Sequence, residues 1–137
     1  MSPKHYRNLD VGLLLLRVGV GLVFVAHGVA KFQNMDGTIA FFNGIGFTSF
    51  WAYLVASVEL FGGLAMLIGI FTEIAGVLLA MVMLVAILKL KFAQGFLGGY
   101  EFDALLLLAS FAMVLTGPGK YAMPCCLGKC ELGMKKK

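Results

Sequence analysis

Charge is what this sequence has least of. Of 137 residues, 11 are Lys or Arg and 7 are Asp or Glu, while 61% are apolar and the mean hydropathy is +0.95. A soluble domain of this length has too little interior to hide that much apolar surface, so lipid must cover the remainder. Histidine is scarcer still: His5 and His27 are the two in the chain, too few for a haem or copper centre. No phosphate loop, dinucleotide fingerprint, nucleophile elbow or zincin helix is present, which removes the common routes to catalysis. Cysteine is confined to the tail, as Cys125, Cys126 and Cys130. Three thiols without a nearby histidine make a weak zinc signature. Palmitoylation beside a membrane exit, or no shared role at all, accounts for them equally well. The net charge of +4 does not point to nucleic acid, because the basic residues gather at the two ends. Beside membrane spans, that pattern reads as topology and attraction to anionic headgroups.

What the chain does have is four long apolar stretches. The expected architecture is all-α: a polytopic four-transmembrane-helix bundle with spans at about 9–31, 50–70, 72–90 and 100–116. Residues 1–8 form a short polar lead, frayed or interfacial. Residues 9–119 form the membrane domain, and 120–137 a basic, cysteine-containing tail. At ~1.5 Å per residue each span can cross a ~30 Å hydrocarbon core. The first run is too long for a signal peptide, carries Arg17 within it, and is followed by no convincing cleavage site. Between the first two spans, Gln33 to Gly46 is expected to hold a short interfacial helix at Ile39 to Asn43, with Trp51 and Tyr53 at the headgroup level. Glu73 opens the third span, and Gly117-Pro118-Gly119 stops the fourth. With both termini on one side, that side holds Lys4, Arg7, Lys120, Lys129 and Lys135 to Lys137, against Lys31, Lys89 and Lys91 opposite. The positive-inside rule then places both termini in the cytoplasm.

The few charges inside the spans are the informative residues, since each costs roughly 2.5–3.5 kcal/mol on insertion scales. Arg17, Phe24 and Lys31 fall on one stripe of the first span, with His27 one turn before Lys31. At the outer level lie His27, Lys31, Lys89, Lys91, Glu101 and Asp103. Glu59 sits ~13 Å inside the second span and Arg17 about as deep from the other side, so these two are expected to meet near midplane. Such a pair serves either to lock two helices or to take part in catalysis or transport. The lysines have a structural reading as snorkelling residues, Glu101 and Asp103 as first-turn acids on a helix dipole, and His27 as a hydrogen-bonded structural residue.

Two sets of residues carry a resemblance. Leu15-Leu16-Arg17-Val18-Gly19-x-Gly21 followed by Phe24-x-x-His27-Gly28-x-x-Lys31-Phe32 resembles the opening of the DoxX family. Val58-Glu59-Leu60-x-Gly62-Gly63, Gly98-Gly99-Tyr100-Glu101-Phe102 and Gly117-Pro118-Gly119-Lys120-Tyr121 are similar to its later blocks. The resemblance runs from about Leu9 to Met123 and excludes the tail. It implies a bacterial or archaeal four-helix protein of the inner membrane. It links the chain to quinone-dependent sulfur oxidation, to a terminal quinol oxidase, or to complexes with detoxifying enzymes. Lys91 departs from the family, standing where many relatives have histidine.

The resulting expectation is a membrane subunit of a quinone-linked redox system, serving sulfur oxidation or oxidative stress. An outer polar pocket would hold His27, Glu101 and Lys31 as proton-exchanging groups, with Glu101 ionised against Lys31. Arg17, Glu59, Lys89 and Tyr100 would be ligand-binding. The expected cofactor is a quinone; no metal is assigned beyond the three tail cysteines as candidates. Expected partners are the bilayer, a quinone, cytoplasmic redox enzymes and further copies of the chain, not nucleic acid. A small-molecule or proton carrier, and a scaffold anchoring cytoplasmic enzymes, remain the alternative functions.

Overall fold

Long apolar runs held between glycine turns leave the backbone one economical solution in lipid, the helix, which satisfies every N–H and C=O internally. The computed structural model describes residues 3–123. Its helices are α1 (Pro3–Gln33), α2 (Met35–Gly44), α3 (Ser49–Ile68), α4 (Thr72–Ala86) and α5 (Glu101–Thr116). Between α4 and α5 lie a π-helical turn at Ile87–Lys91, a short 3₁₀ turn at Phe92–Gln94 and a second π-type turn at Phe96–Tyr100. Among the described residues there is no strand. Four helical stretches are long and apolar enough to cross a membrane: Leu9–Gln33, Ser49–Ile68, Thr72–Gln94 and Phe96–Thr116. The all-α, four-span architecture is therefore what the chain adopts.

Glycine sets how these helices meet. A Cβ on Gly28 would stand 2.6 Å from the Leu60 backbone nitrogen, and one on Gly63 2.7 Å from that of Val25. Contacts this close require bare backbone, the small-residue packing that drives association in lipid. They also fix the register, since Gly28 lies level with Leu60 and Val25 with Gly63, an antiparallel pair. On the other side of the bundle a Cβ on Gly76 of α4 would stand 2.9 Å from the Ser110 carbonyl oxygen of α5. Val20, Phe24, Met66, Leu79, Met83 and Met113 fill the space between the two helix pairs. Large apolar side chains such as Leu15, Phe61, Met81 and Leu108 remain exposed all round, an outer surface suited to acyl chains.

The structure corrects several expectations. From Pro3 onward the polar lead is helical and continuous with α1, proline being pre-set for the first helical position. The interfacial helix is longer than Ile39 to Asn43, because Asn34 caps it by accepting a hydrogen bond from the Gly37 N–H at 3.2 Å. Gly117-Pro118-Gly119 ends α5 and also turns the chain back under the bundle, where Gly119 reaches Leu13 and buried Ala122 packs against Gly69. Cys125, Cys126, Cys130 and the basic residues from Lys129 onward lie outside the described residues.

Candidate functional site

Each spanning helix turns one regular stripe inward, and the charges on those stripes decide the site. On α1 the stripe is Arg17, Gly21, Phe24 and Gly28, continuing to half-buried Lys31; on α3 it is Ala52, Ala56, Glu59, Gly63 and Met66. The glycine register brings Glu59 level with the last turns of α1, and Lys31 forms an ion pair with Glu59 there. Glu59 is almost wholly buried while Lys31 keeps about a quarter of its side chain exposed. On α5 the buried stripe is Asp103, Leu106, Ser110 and Met113. In the wider π turn that begins at buried Ile87, Lys91 stays about a third exposed, and its Nζ stands 2.6 Å from Asp103 Oδ2.

Two ion pairs thus stand at one end of the bundle, and a chamber of about 760 Å3 lies against them. Gly62 meets Leu79 in close contact. Outward from that contact, Val55 and Val58 of α3 and Val82 and Ala86 of α4 line the chamber from two sides. Leu54, Leu78, Met81 and Val85 line it and are also exposed, so it opens between α3 and α4 on the lipid-facing flank. Phe41 and Phe42 of α2, with Phe47 and Trp51, close its outer end. His27, Lys31, Glu59, Lys89, Lys91 and Asp103 supply its polar lining. An apolar cavity with a few converging polar groups is the general form of a small-molecule site.

The expected site residues distribute unevenly over this geometry. His27, Lys31, Glu59 and Lys89 all line the chamber. Glu101 does not pair with Lys31; it is exposed and accepts a hydrogen bond from the Gly98 N–H at 3.2 Å. Glu101 and Asp103 stand two positions apart, about 200° of helix, so only one of them can face inward. Tyr100 sits in an aromatic cluster, stacked on Phe92 (ring centroids 6.1 Å apart) and edge-on to Phe96 (5.4 Å). Arg17 does not meet Glu59. It is buried near the other end of the bundle, donating from Nη1 to the Pro118 carbonyl at 2.7 Å and from Nη2 to the Tyr121 carbonyl at 2.9 Å. In the α1–α3 register the two lie roughly 18 Å apart along the helix axis. Sequence reasoning passed over Lys91 and Asp103 as site residues, although the phase of Asp103 with Leu106, Ser110 and Met113 marks it as inward.

Comparison with known proteins places this geometry in a lineage. The family model described as DoxX matches residues 12–92. The chain belongs to the DoxX family. The match takes in His27, Lys31, Glu59 and Lys91, with Asp103 beyond its end. CatD of Bacillus subtilis (strain 168), named provisionally as an oxidoreductase, is 48% identical over 111 residues, which is 81% of this chain and 83% of that protein. The inner membrane protein YqjF of Escherichia coli (strain K12) is 31% identical over 123 residues, covering 88% of this chain and 95% of the relative. An uncharacterized membrane protein of Mycobacterium tuberculosis is 33% identical over 127 residues, 81% of this chain and 78% of its own. No solved structure matches the chain significantly. This DoxX chain is thus a multi-pass membrane protein, and of these relatives the Bacillus one carries a provisional oxidoreductase name.

Proposed function

We propose that this DoxX protein is a membrane subunit of a quinone-linked redox system, serving sulfur oxidation or oxidative stress, and that its chamber receives the ring of an isoprenoid quinone. One observation carries the reading: a lipid-facing, apolar-walled chamber of about 760 Å3 that meets two ion pairs and His27. A quinone ring needs apolar walls for its faces and donors for its two oxygens. His27 and the lysines are the groups placed to donate, while Glu59 and Asp103 hold Lys31 and Lys91 in position. The oxidoreductase name of the Bacillus relative agrees with this reading. The redox chemistry belongs to the quinone and to cytoplasmic partner enzymes; this chain supplies binding and orientation.

The test uses Trp51, the single tryptophan in the chain, which lines the chamber. A short-chain menaquinone or ubiquinone analogue should quench its fluorescence saturably in detergent-solubilised full-length protein. His27→Ala and Asp103→Asn should each weaken binding by about tenfold, the loss of a hydrogen bond in an apolar site. Glu101→Ala, outside the chamber lining, should bind normally. Non-saturable quenching that is equal in all four proteins would defeat the proposal.

Placement in a bacterial or archaeal inner membrane with both termini cytoplasmic is part of the same proposal, from the distribution of Lys and Arg. A reporter fused after Lys137 should read cytoplasmic and one inserted at Gly37 external. The reverse pattern would invert the chamber's side.

A further inference from the structure

The chamber opens to lipid, and lipid supplies no water. A ligand that gains or loses a proton there needs a second opening of different chemistry, because neither hydronium nor hydroxide crosses hydrocarbon freely. The structure contains one. Between α1 and α2 runs an open groove of about 540 Å3, lined by Ala26, Ala30, Asn34 and Thr38 among others. Ala26 and Ala30 are small enough to leave room beside α1. Thr38 donates to the carbonyls of Asn34 (2.9 Å) and Lys31 (3.3 Å), so the outer part of the groove is polar.

Groove and chamber share four lining residues: His27, Lys31, Phe41 and Phe42. These four are the partition between the two spaces. Two are phenyl rings, which carry no proton. Lys31 is tied to Glu59, which lines the chamber alone, leaving His27, an exposed imidazole beside Phe102 (ring centroids 6.3 Å apart). Imidazole is the side chain suited to accepting and releasing a proton near neutrality.

We propose that the α1–α2 groove is the water side of the chamber, and that His27 passes protons between a ligand in the chamber and water in the groove. A proton leaving a ligand oxygen breaks an O–H bond and forms an N–H bond on neutral His27. The imidazolium then gives a proton to groove water as hydronium and returns to neutral. Run in reverse, the same steps deliver a proton. This deepens the quinone reading and rests on it only for the ligand's identity, since its test needs no ligand.

Ala26 lies seven residues before the end of α1, about 10 Å into the span. Val29 is closer to that end, exposed, and lines neither cavity. In full-length protein carrying Cys125→Ser, Cys126→Ser and Cys130→Ser and reconstituted in vesicles, Ala26→Cys and Val29→Cys are treated with the membrane-impermeant anion 2-sulfonatoethyl methanethiosulfonate. Deeper Ala26→Cys should react at least an order of magnitude faster than Val29→Cys, with Ala30→Cys as the alternative probe if Ala26→Cys misfolds. Equal rates, fast or slow, would overturn the groove as a confined water route. Ring-labelled His27, followed by NMR in a His5→Gln background, should respond to bulk pH, and proton exchange at its ring should slow at least tenfold once Ala26→Cys is blocked by the reagent. A His27 signal indifferent to bulk pH, or unchanged by the block, would remove His27 from the route. Failure of quinone binding would leave both measurements standing, so the two proposals fall separately.

Discussion

Replacing Lys31 with methionine is expected to destabilise the folded protein by about 3–5 kcal/mol, the usual cost of leaving a buried charge unpaired. Glu59 is the reason, because it is 2% exposed and lies on the inward stripe of α3, beyond the reach of headgroups. Glu59→Gln should cost distinctly less. It leaves behind a lysine that is still about a quarter exposed, on a stem long enough to carry its ammonium outward. Combining Lys31→Met with Glu59→Gln should recover most of the first loss, since neither charge then remains buried. Reversible unfolding in mixed micelles measures all three, and simple additivity would mean that the pair contributes no coupling. The asymmetry between the single variants is the sharper criterion, because exposure alone predicts its sign.

The second large effect is expected at the other end of α1. Arg17→Met removes charge-assisted hydrogen bonds to the Pro118 and Tyr121 carbonyls, worth about 1.5–3 kcal/mol each. The segment it holds is otherwise tied by weaker contacts, including the Lys120 N–H donating to Asp10 Oδ1 at 3.3 Å. Loss of stability of roughly 3 kcal/mol or more should therefore come with local release, read as faster tryptic cleavage after exposed Lys120. Arg17→Lys should restore little, because an ammonium does not reproduce the planar fork that spans two carbonyls. Undiminished resistance at Lys120 would show that the chain is held there by other contacts. Arg17 and Glu59 changes should be additive, given their separation along the bundle.

The chamber gathers most of the charges kept inside these spans. Lys31–Glu59 and Lys91–Asp103 each set a cation against an anion, which offsets part of the cost of burying either alone, and all four residues line the chamber. The π turn at Ile87–Lys91 belongs to the same arrangement, since it delivers Lys91 to Asp103. Such turns interrupt a regular helix at a cost, and they recur at functional sites.

That the chain is an all-α, four-span membrane protein of the DoxX kind, with only a few polar residues inside its spans, was already written in its residues. Run length and hydropathy decide those matters, because a bilayer needs about 20 apolar residues per spanning helix and penalises every stray charge. Helical phase also carried a signal for Asp103 as the inward acid of α5, through Leu106, Ser110 and Met113, although Glu101 was the acid expected in the site. Depth along separate helices said nothing of contact between them. It suggested Arg17 with Glu59 and Glu101 with Lys31, whereas the pairs are Lys31–Glu59 and Lys91–Asp103. Those partners follow from packing between helices, through backbone contact at Gly28–Leu60 and Val25–Gly63 and through a π turn that local propensity does not announce. Hydrophobicity gives no preference among lipid-compatible faces, so in a membrane the register is set by where bare backbones fit together.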